Sequence, residues 1–211
     1  MSPSPASPDP RTGGGPGDDW SARHSVQATA GRTVALVNAL TGDRDAAPEA
    51  IAAVLRAYGE SEPVELDAHD VERMRTAALA LREVFAASDV DSAATALNRL
   101  LADAPGRLRL TSHGGASPWH PHLDSADDAP WGEWFLASSC LCLTVLVWDR
   151  RRPPGGVCAS TACGNVFLAV GSGVPRRYCS RRCATRERVA AHRRSRAGGV
   201  GSRPGGGAVT A

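Results

Sequence analysis

Four cysteines toward the C-terminal end, Cys158, Cys163, Cys179 and Cys183, have the type and spacing of a metal site. Four residues separate the first pair, three separate the second, and fifteen lie between the pairs. Tetrahedral zinc takes thiolate sulfurs at about 2.3 Å, and structural sites gather two ligands from each of two short segments. The intervening GNVFLAVGSGVPRRY predicts a β-hairpin that would bring the pairs together. Val166, Phe167, Leu168 and Val170 supply a strand, Gly171-Ser172-Gly173 a turn, and Pro175 to Tyr178 the return. Cys179 and Cys183, at i and i+4, would share one face of the first turn of a helix running on through 184–196. Four thiolates close a tetrahedral shell, so the expected cofactor is one structural Zn2+ without a catalytic position. A redox pair or buried free thiols are the weaker alternatives, because so small a module has little besides metal to hold it folded. Cys140 and Cys142 differ. Two residues apart on a helix they point about 200° from one another, and they read as buried core thiols.

The metal would hold a strongly basic segment. Residues 1–149 carry eleven Arg against twenty-one Asp and Glu, a net charge of −10. Residues 150–211 carry thirteen Arg against Glu187 alone, a net of +12, and the chain has no lysine. An acidic body with a basic arm points to nucleic acid, and guanidinium forks fit phosphate and guanine edges. The expected partner is DNA, contacted by Arg176, Arg177, Arg181, Arg182, Arg186, Arg188, Arg193 and Arg194. His192 lies nine residues beyond Cys183, too far along a helix to share the metal, and reads as facing solvent or phosphate. Tyr178 is the one aromatic beside this helix, which disfavours single-strand stacking. Two other readings compete with DNA. The arm could dock on its own acidic body, or the chain could be an adaptor whose basic module meets an acidic protein.

An enzyme is not expected. A four-cysteine shell is closed, and no Gly-rich phosphate loop, Walker motif or hydrolase elbow is present. His120-Pro121-His122 would put two imidazoles on one face of a strand, and these read as surface histidines.

The elements that must position these groups follow from apolar periodicity. Residues 1–27, rich in Pro, Gly, Ser and Asp, form an expected disordered tail, and 197–211 a second. Between them, 28–149 read as a helical domain and 150–196 as the zinc module. RTVALVNAL (32–40) opens the body with a short apolar segment. Ile51, Val54, Leu55 and Tyr58 mark a helix within 47–60, with Pro48 near its start. Val71, Met74, Ala78, Leu81 and Phe85 mark another over 68–88, capped by Asp67 or Asp70, and Ala94, Leu97, Leu100 and Leu101 a third over 91–103. RLRLT (107–111) alternates as a strand, with ASPWHPHLD as an edge partner. A long helix over about 129–148 would fill the core with Trp131, Trp134, Phe135, Cys142, Val145 and Trp148. RRRPPGG (150–156) is the boundary where the charge changes sign. The fold class is therefore mainly α with a small β component: a helical N-terminal domain followed by a small treble-clef-like β-hairpin/helix zinc module. Ser138, Ser139 and Thr144 interrupt the longest apolar stretch, so no membrane span is expected. The N-terminus lacks the features of a signal peptide, and the expected compartment is the cytoplasm. Asn38, set in the apolar LVNAL, and Arg82 are the polar residues singled out for a small ligand of the body, since a polar group among apolar ones needs a partner. The competing and favoured reading is that Asn38 caps a helix or turn and Arg82 pairs with a surface carboxylate.

The C-terminal module resembles the CGNR-type zinc finger. The matching residues are Cys158, Cys163, Phe167-Leu168, Arg176-Arg177, Tyr178-Cys179-Ser180, Cys183 and Arg186, with Ala184-Thr185 in place of Gly-Asn and a shortened gap between the last two cysteines. The body is similar to the ABATE domain that precedes this finger, through ALVNAL (35–40), LRE (81–83) and LNRLL (97–101). The resemblance implies a bacterial stress-induced transcription regulator whose N-terminal domain senses a ligand.

Overall fold

Caps and apolar stripes set the helices of the body. The computed structural model describes residues 25–42, 46–60, 62–169, 171 and 176–198. Helix α1, Val26–Thr41, starts behind Ser25, whose hydroxyl accepts from the Ala28 N–H at 3.1 Å. It takes in Val26 and Gln27, which the composition placed in the tail. Helix α2, Pro48–Ala57, carries proline in its first turn, where the missing N–H costs nothing, and buries Ile51, Ala52 and Leu55. Helix α3, Ala68–Ala86, is closed by a reciprocal box in which Asp67 and Asp70 each accept the other's backbone N–H. Helix α4, Val90–Ala102, is capped by Asp89.

A fifth helix, α5 (Trp131–Arg150), packs against α1, α3 and α4. Leu36, Leu40, Ile51, Leu55, Met74, Leu81, Phe85, Phe135 and Leu143 are the largest side chains fully buried between these helices. The buried face of α5 includes Phe135, Ser139, Cys140, Cys142, Leu143, Leu146 and Val147. The sequence-based core needs correction here. Val145 and Trp148 are 40% and 69% exposed, and Trp131 and Trp134 are half-buried. This helix is apolar nearly all round, so composition alone does not choose its inner face. Among the described residues it is the one helix long and apolar enough to cross a membrane by length and composition, and half of its most apolar window is packed inside the protein. Cys140 and Cys142 are buried, and burial pushes their thiols up to about 12 and about 11.

The α1–α5 seam holds a buried polar knot. The Arg32 guanidinium donates to Glu60 at 3.1 Å and to the Ser138 hydroxyl at 3.2 Å, and lies 4.3 Å over the Trp134 ring. Thr33 shares a hydrogen bond of 2.9 Å with Ser139. Pairing of this kind makes a buried cation tolerable in an apolar core.

Two antiparallel hairpins complete the fold. Strands β1 (Arg109–Thr111) and β2 (His120–His122) pair with Arg109 opposite His122 and Thr111 opposite His120. Strands β3 (Gly155–Val157) and β4 (Val166–Leu168) pair with Gly155 opposite Leu168. The second pairing corrects the expected hairpin. Strand β4 pairs with the upstream Gly-Gly-Val segment, read above as part of the boundary. Arg176 to Tyr178 form no strand, and residues 172–175, in the expected turn and return, lie outside the described residues. Val166 and Phe167 are buried, β4 rests on α1 and α3, and β3 rests on α3, so the module is seated on the body. Helix α6, Arg181–Gly198, follows.

Candidate metal centre and the basic helix it anchors

The β3–β4 turn carries Cys158 and Cys163, and Cys183 lies in the first turn of α6. Cys179, expected in that same turn, sits in the bend before the helix, which begins only at Arg181. Their four Sγ atoms lie within 4.8 Å of one another. Cys179 Sγ is 3.7 Å from both Cys163 Sγ and Cys183 Sγ. Four sulfurs at about 2.3 Å from one zinc would stand about 3.8 Å apart along the edges of a tetrahedron. The donor set and its spacing fit that ion.

The surrounding groups turn toward the sulfurs. The Cys179 N–H donates to Cys158 Sγ at 3.4 Å, and Arg186 Nη2 to Cys183 Sγ at 3.1 Å. Ser180 Oγ accepts from the Cys183 N–H at 3.3 Å. The Ser180 hydroxyl, with the neighbouring thiols, draws the Cys183 thiol down to about 7. Burial and the neighbouring thiols push Cys179 up to about 12, against a smaller lowering by Ser180. Crowded thiols share their protons unevenly in this way, and a bound dication favours the thiolates over all of them. Backbone bonds fix the loops. Cys158 N–H donates to Asn165 O, Cys163 N–H to Ser160 O, and Ala159 N–H to Arg177 O, at 2.8, 2.9 and 2.8 Å. Glu187, the single acid of the basic arm, accepts from the Ser160 hydroxyl at 2.8 Å and the Thr161 N–H at 3.3 Å, tying α6 to the first cysteine loop. The sequence reading counted it only as a charge.

All eight arginines singled out from the sequence are exposed. Three have local partners. Arg176 donates to Cys179 O at 2.7 Å and lies 5.4 Å over the Phe167 ring, Arg177 lies 5.8 Å over Tyr178, and Arg186 is on the sulfur. Arg181, Arg182, Arg188, Arg193 and Arg194 leave α6 toward solvent, as does His192. Among the described residues no arginine of α6 forms an ion pair with a carboxylate. Ala184 and Thr185 continue the helix, with Ala184 N–H donating to Ser180 O at 3.2 Å.

Residues 156–196 match the family model described as "CGNR zinc finger". Residues 30–149, more than half of the chain, match the ABATE model, described as "Putative stress-induced transcription regulator". The chain belongs to the ABATE family. No curated protein matches it. Its four-cysteine cluster is the metal site of a CGNR zinc finger.

The two polar residues singled out in the ABATE body both lie at its seam with the finger. Asn38 Nδ2 donates to Val166 O at 3.0 Å and its Oδ1 accepts from the Val166 N–H at 2.7 Å, so its amide pairs with β4 as another strand would. Arg82 is half-buried, and its guanidinium faces Gly164. Asn38 also lines a cleft of about 660 Å3 that runs past Tyr58, Arg176, Arg182 and Arg186. A second cavity of about 490 Å3 opens between α3, α4 and α5, lined among others by Leu100, Leu123, Leu136, Ala137 and Cys140, with neither candidate in its wall. The histidine expectation also needs correction. His122 is buried, and His120 and His122 converge with His113, which the sequence reading passed over.

Proposed function

We propose that the chain is a transcription regulator that binds duplex DNA through the arginines of α6. One Zn2+ on Cys158, Cys163, Cys179 and Cys183 is structural, and the protein is not an enzyme. The observation that carries this reading is the row of exposed arginines on a helix held to the four-cysteine cluster by Cys183 in its first turn and by Cys179 just before it. The lack of ion pairs between α6 and carboxylates, among the described residues, speaks against an arm neutralised by its own body. A rigid helix bearing Arg182, Arg186 and Arg193 along one side has the dimensions to enter a major groove, with the flanking arginines on phosphates. In the body, the cavity of about 490 Å3 is of a size for a small, largely apolar effector.

The deciding experiment is a mobility-shift titration against salt with the full-length protein on selected duplexes. Phosphate-dominated binding gives a log–log slope of about −0.9 per neutralised phosphate, and Arg182→Ala with Arg193→Ala flattens it by about two such steps. A preparation without nuclease-sensitive absorbance, and an affinity insensitive to salt, would instead favour an adaptor that docks on an acidic protein. Effector binding is tested by ligand-induced thermal shift. Ala80→Trp, which fills the body cavity, abolishes the shift, whereas a shift lost only in Asn38→Ala would place the ligand at the seam.

A further inference from the structure

We propose that His113, His120 and His122 form a second metal site, a three-imidazole cage for a divalent first-row transition ion with a fourth position open to solvent. The site lies in the β1–β2 hairpin, outside the zinc finger, and does not depend on the DNA reading.

The ligand atoms converge. His120 Nε2 lies 3.3 Å from His113 Nε2 and 3.0 Å from His122 Nε2, and the cluster fits within 4.8 Å. Imidazole nitrogens at about 2.0–2.1 Å from a tetrahedral zinc would stand about 3.3 Å apart.

Two of the rings are held from behind by a hydrogen bond from the other nitrogen, and the third faces a carboxylate. His122 Nδ1–H donates to the buried Asp124 carboxylate at 2.9 Å. His120 Nδ1–H donates to Pro118 O at 2.8 Å, and His113 Nδ1 faces Asp127 Oδ2 at 3.4 Å. Arg109 pairs with both carboxylates, at 2.9 Å to Asp124 and 2.8 Å to Asp127, and the Thr111 hydroxyl donates to Asp127 at 2.7 Å. Metal-bound histidines characteristically carry such partners.

The chemistry of these partners is what makes the cluster informative. A carbonyl or a carboxylate can only accept, so in neutral His120 and His122 rings the proton sits on Nδ1 and the Nε2 lone pair points inward. These lone pairs turn toward one another and toward the His113 ring. One added proton can serve one pair of rings, whereas one metal ion serves all three.

The backbone is bent to the same end. His113 has φ of 49°, in the left-handed region that a side-chain-bearing residue enters at a cost, and Gly114 and Gly115 follow at 68° and 92°. His113 N–H donates to Thr111 Oγ1 at 3.1 Å, which fixes the ring over the other two. Three neutral imidazoles with no oxygen ligand favour zinc, copper, nickel or iron over magnesium or calcium. Three protein ligands leave room for water or a small anion, and the His113 side chain, 34% exposed, marks the open side.

The test is metal content and calorimetric Zn2+ titration of full-length protein, stripped by chelator, reloaded and dialysed. Wild type retains two equivalents per chain, and His120→Ala and His113→Gly each retain one. With Co2+ the thiolate charge-transfer band of the finger survives in both variants. His113→Gly also relieves the left-handed backbone, so its apo form melts no lower than wild type, which separates lost binding from lost folding. Asp127→Asn, at the surface, weakens the second equivalent by about 10- to 100-fold. A wild type that retains a single thiolate-bound equivalent, or variants that retain two, would overturn the proposal and leave a proton-sharing trio of histidines.

Discussion

Asn38 shows how much one side chain can hold together. Its amide satisfies both backbone groups of Val166, a residue that is 1% exposed, and so closes the seam between α1 and the zinc module. In Asn38→Ala a buried N–H and a buried C=O lose their partner, each at about 1–3 kcal/mol. The expected result is a loss of about 2–4 kcal/mol in denaturant unfolding, with faster amide exchange along β4. Asn38→Asp keeps an acceptor for the N–H but faces the carbonyl with a second acceptor, and should recover less than half of that loss. The sequence marked Asn38 correctly as a polar residue in need of a partner. Nothing local could name that partner, because it lies 128 residues away and is backbone. The cysteines were legible for the opposite reason, since spacing within a short segment encodes their geometry. His113 was missed because its ring reaches His120 only through the left-handed turn between them.

At the scale of elements, what the sequence made legible was local chemistry. Asp67 and Asp89 cap the helices they precede, and the stripes of α3 and α4 face the core. Asp89 accepts from the Ser92 N–H at 2.8 Å, and this bond, with the Ser92 and Ser88 hydroxyls, holds its carboxyl below the ordinary 3.8. A depressed carboxylate stabilises the fold fully above the unfolded-state value, and the contribution is lost as pH falls through the lower, folded value. Asp89→Asn keeps the cap without the titration, so thermal melts below pH 3.8 should lose less stability in the variant than in wild type. The β3–β4 pairing was not legible, because Gly155 and Gly156 bear no apolar pattern and look like linker. They are small for a packing reason. A Cβ on Gly155 would stand 1.8 Å from the Phe167 carbonyl oxygen and 3.0 Å from the Phe85 ring. Gly155→Ala must therefore part the two strands or lift them from α3, at a cost of about 3 kcal/mol. Lost protection of the Val166 amide in hydrogen exchange would report it, while an unchanged melt would refute the close approach.

Across the whole molecule, body and finger differ in what holds them. The body is closed by apolar burial around α5, and strands β3 and β4 attach the finger to it. Helix α6 stands apart. Among the described residues it packs substantially on no other helix or strand, and its hold is the thiolate cluster, the Glu187 contacts with Ser160 and Thr161, and its own hydrogen bonds. Helices in proteins take most of their stability from tertiary packing, which α6 largely lacks, and its close-set arginines repel one another. Metal removal should therefore act locally. Chelation at neutral pH is expected to melt α6, seen as a partial loss of helical circular dichroism, while α1 to α5 keep their cooperative melt. Cys179→Ser should reproduce that state without chelator, and both should weaken DNA at least a hundredfold, since the arginines lose their common scaffold. Unfolding of the entire chain on chelation would mean that the zinc supports the body as well, through the Asn38–Val166 seam, and Asn38→Ala should then restore an independent body melt.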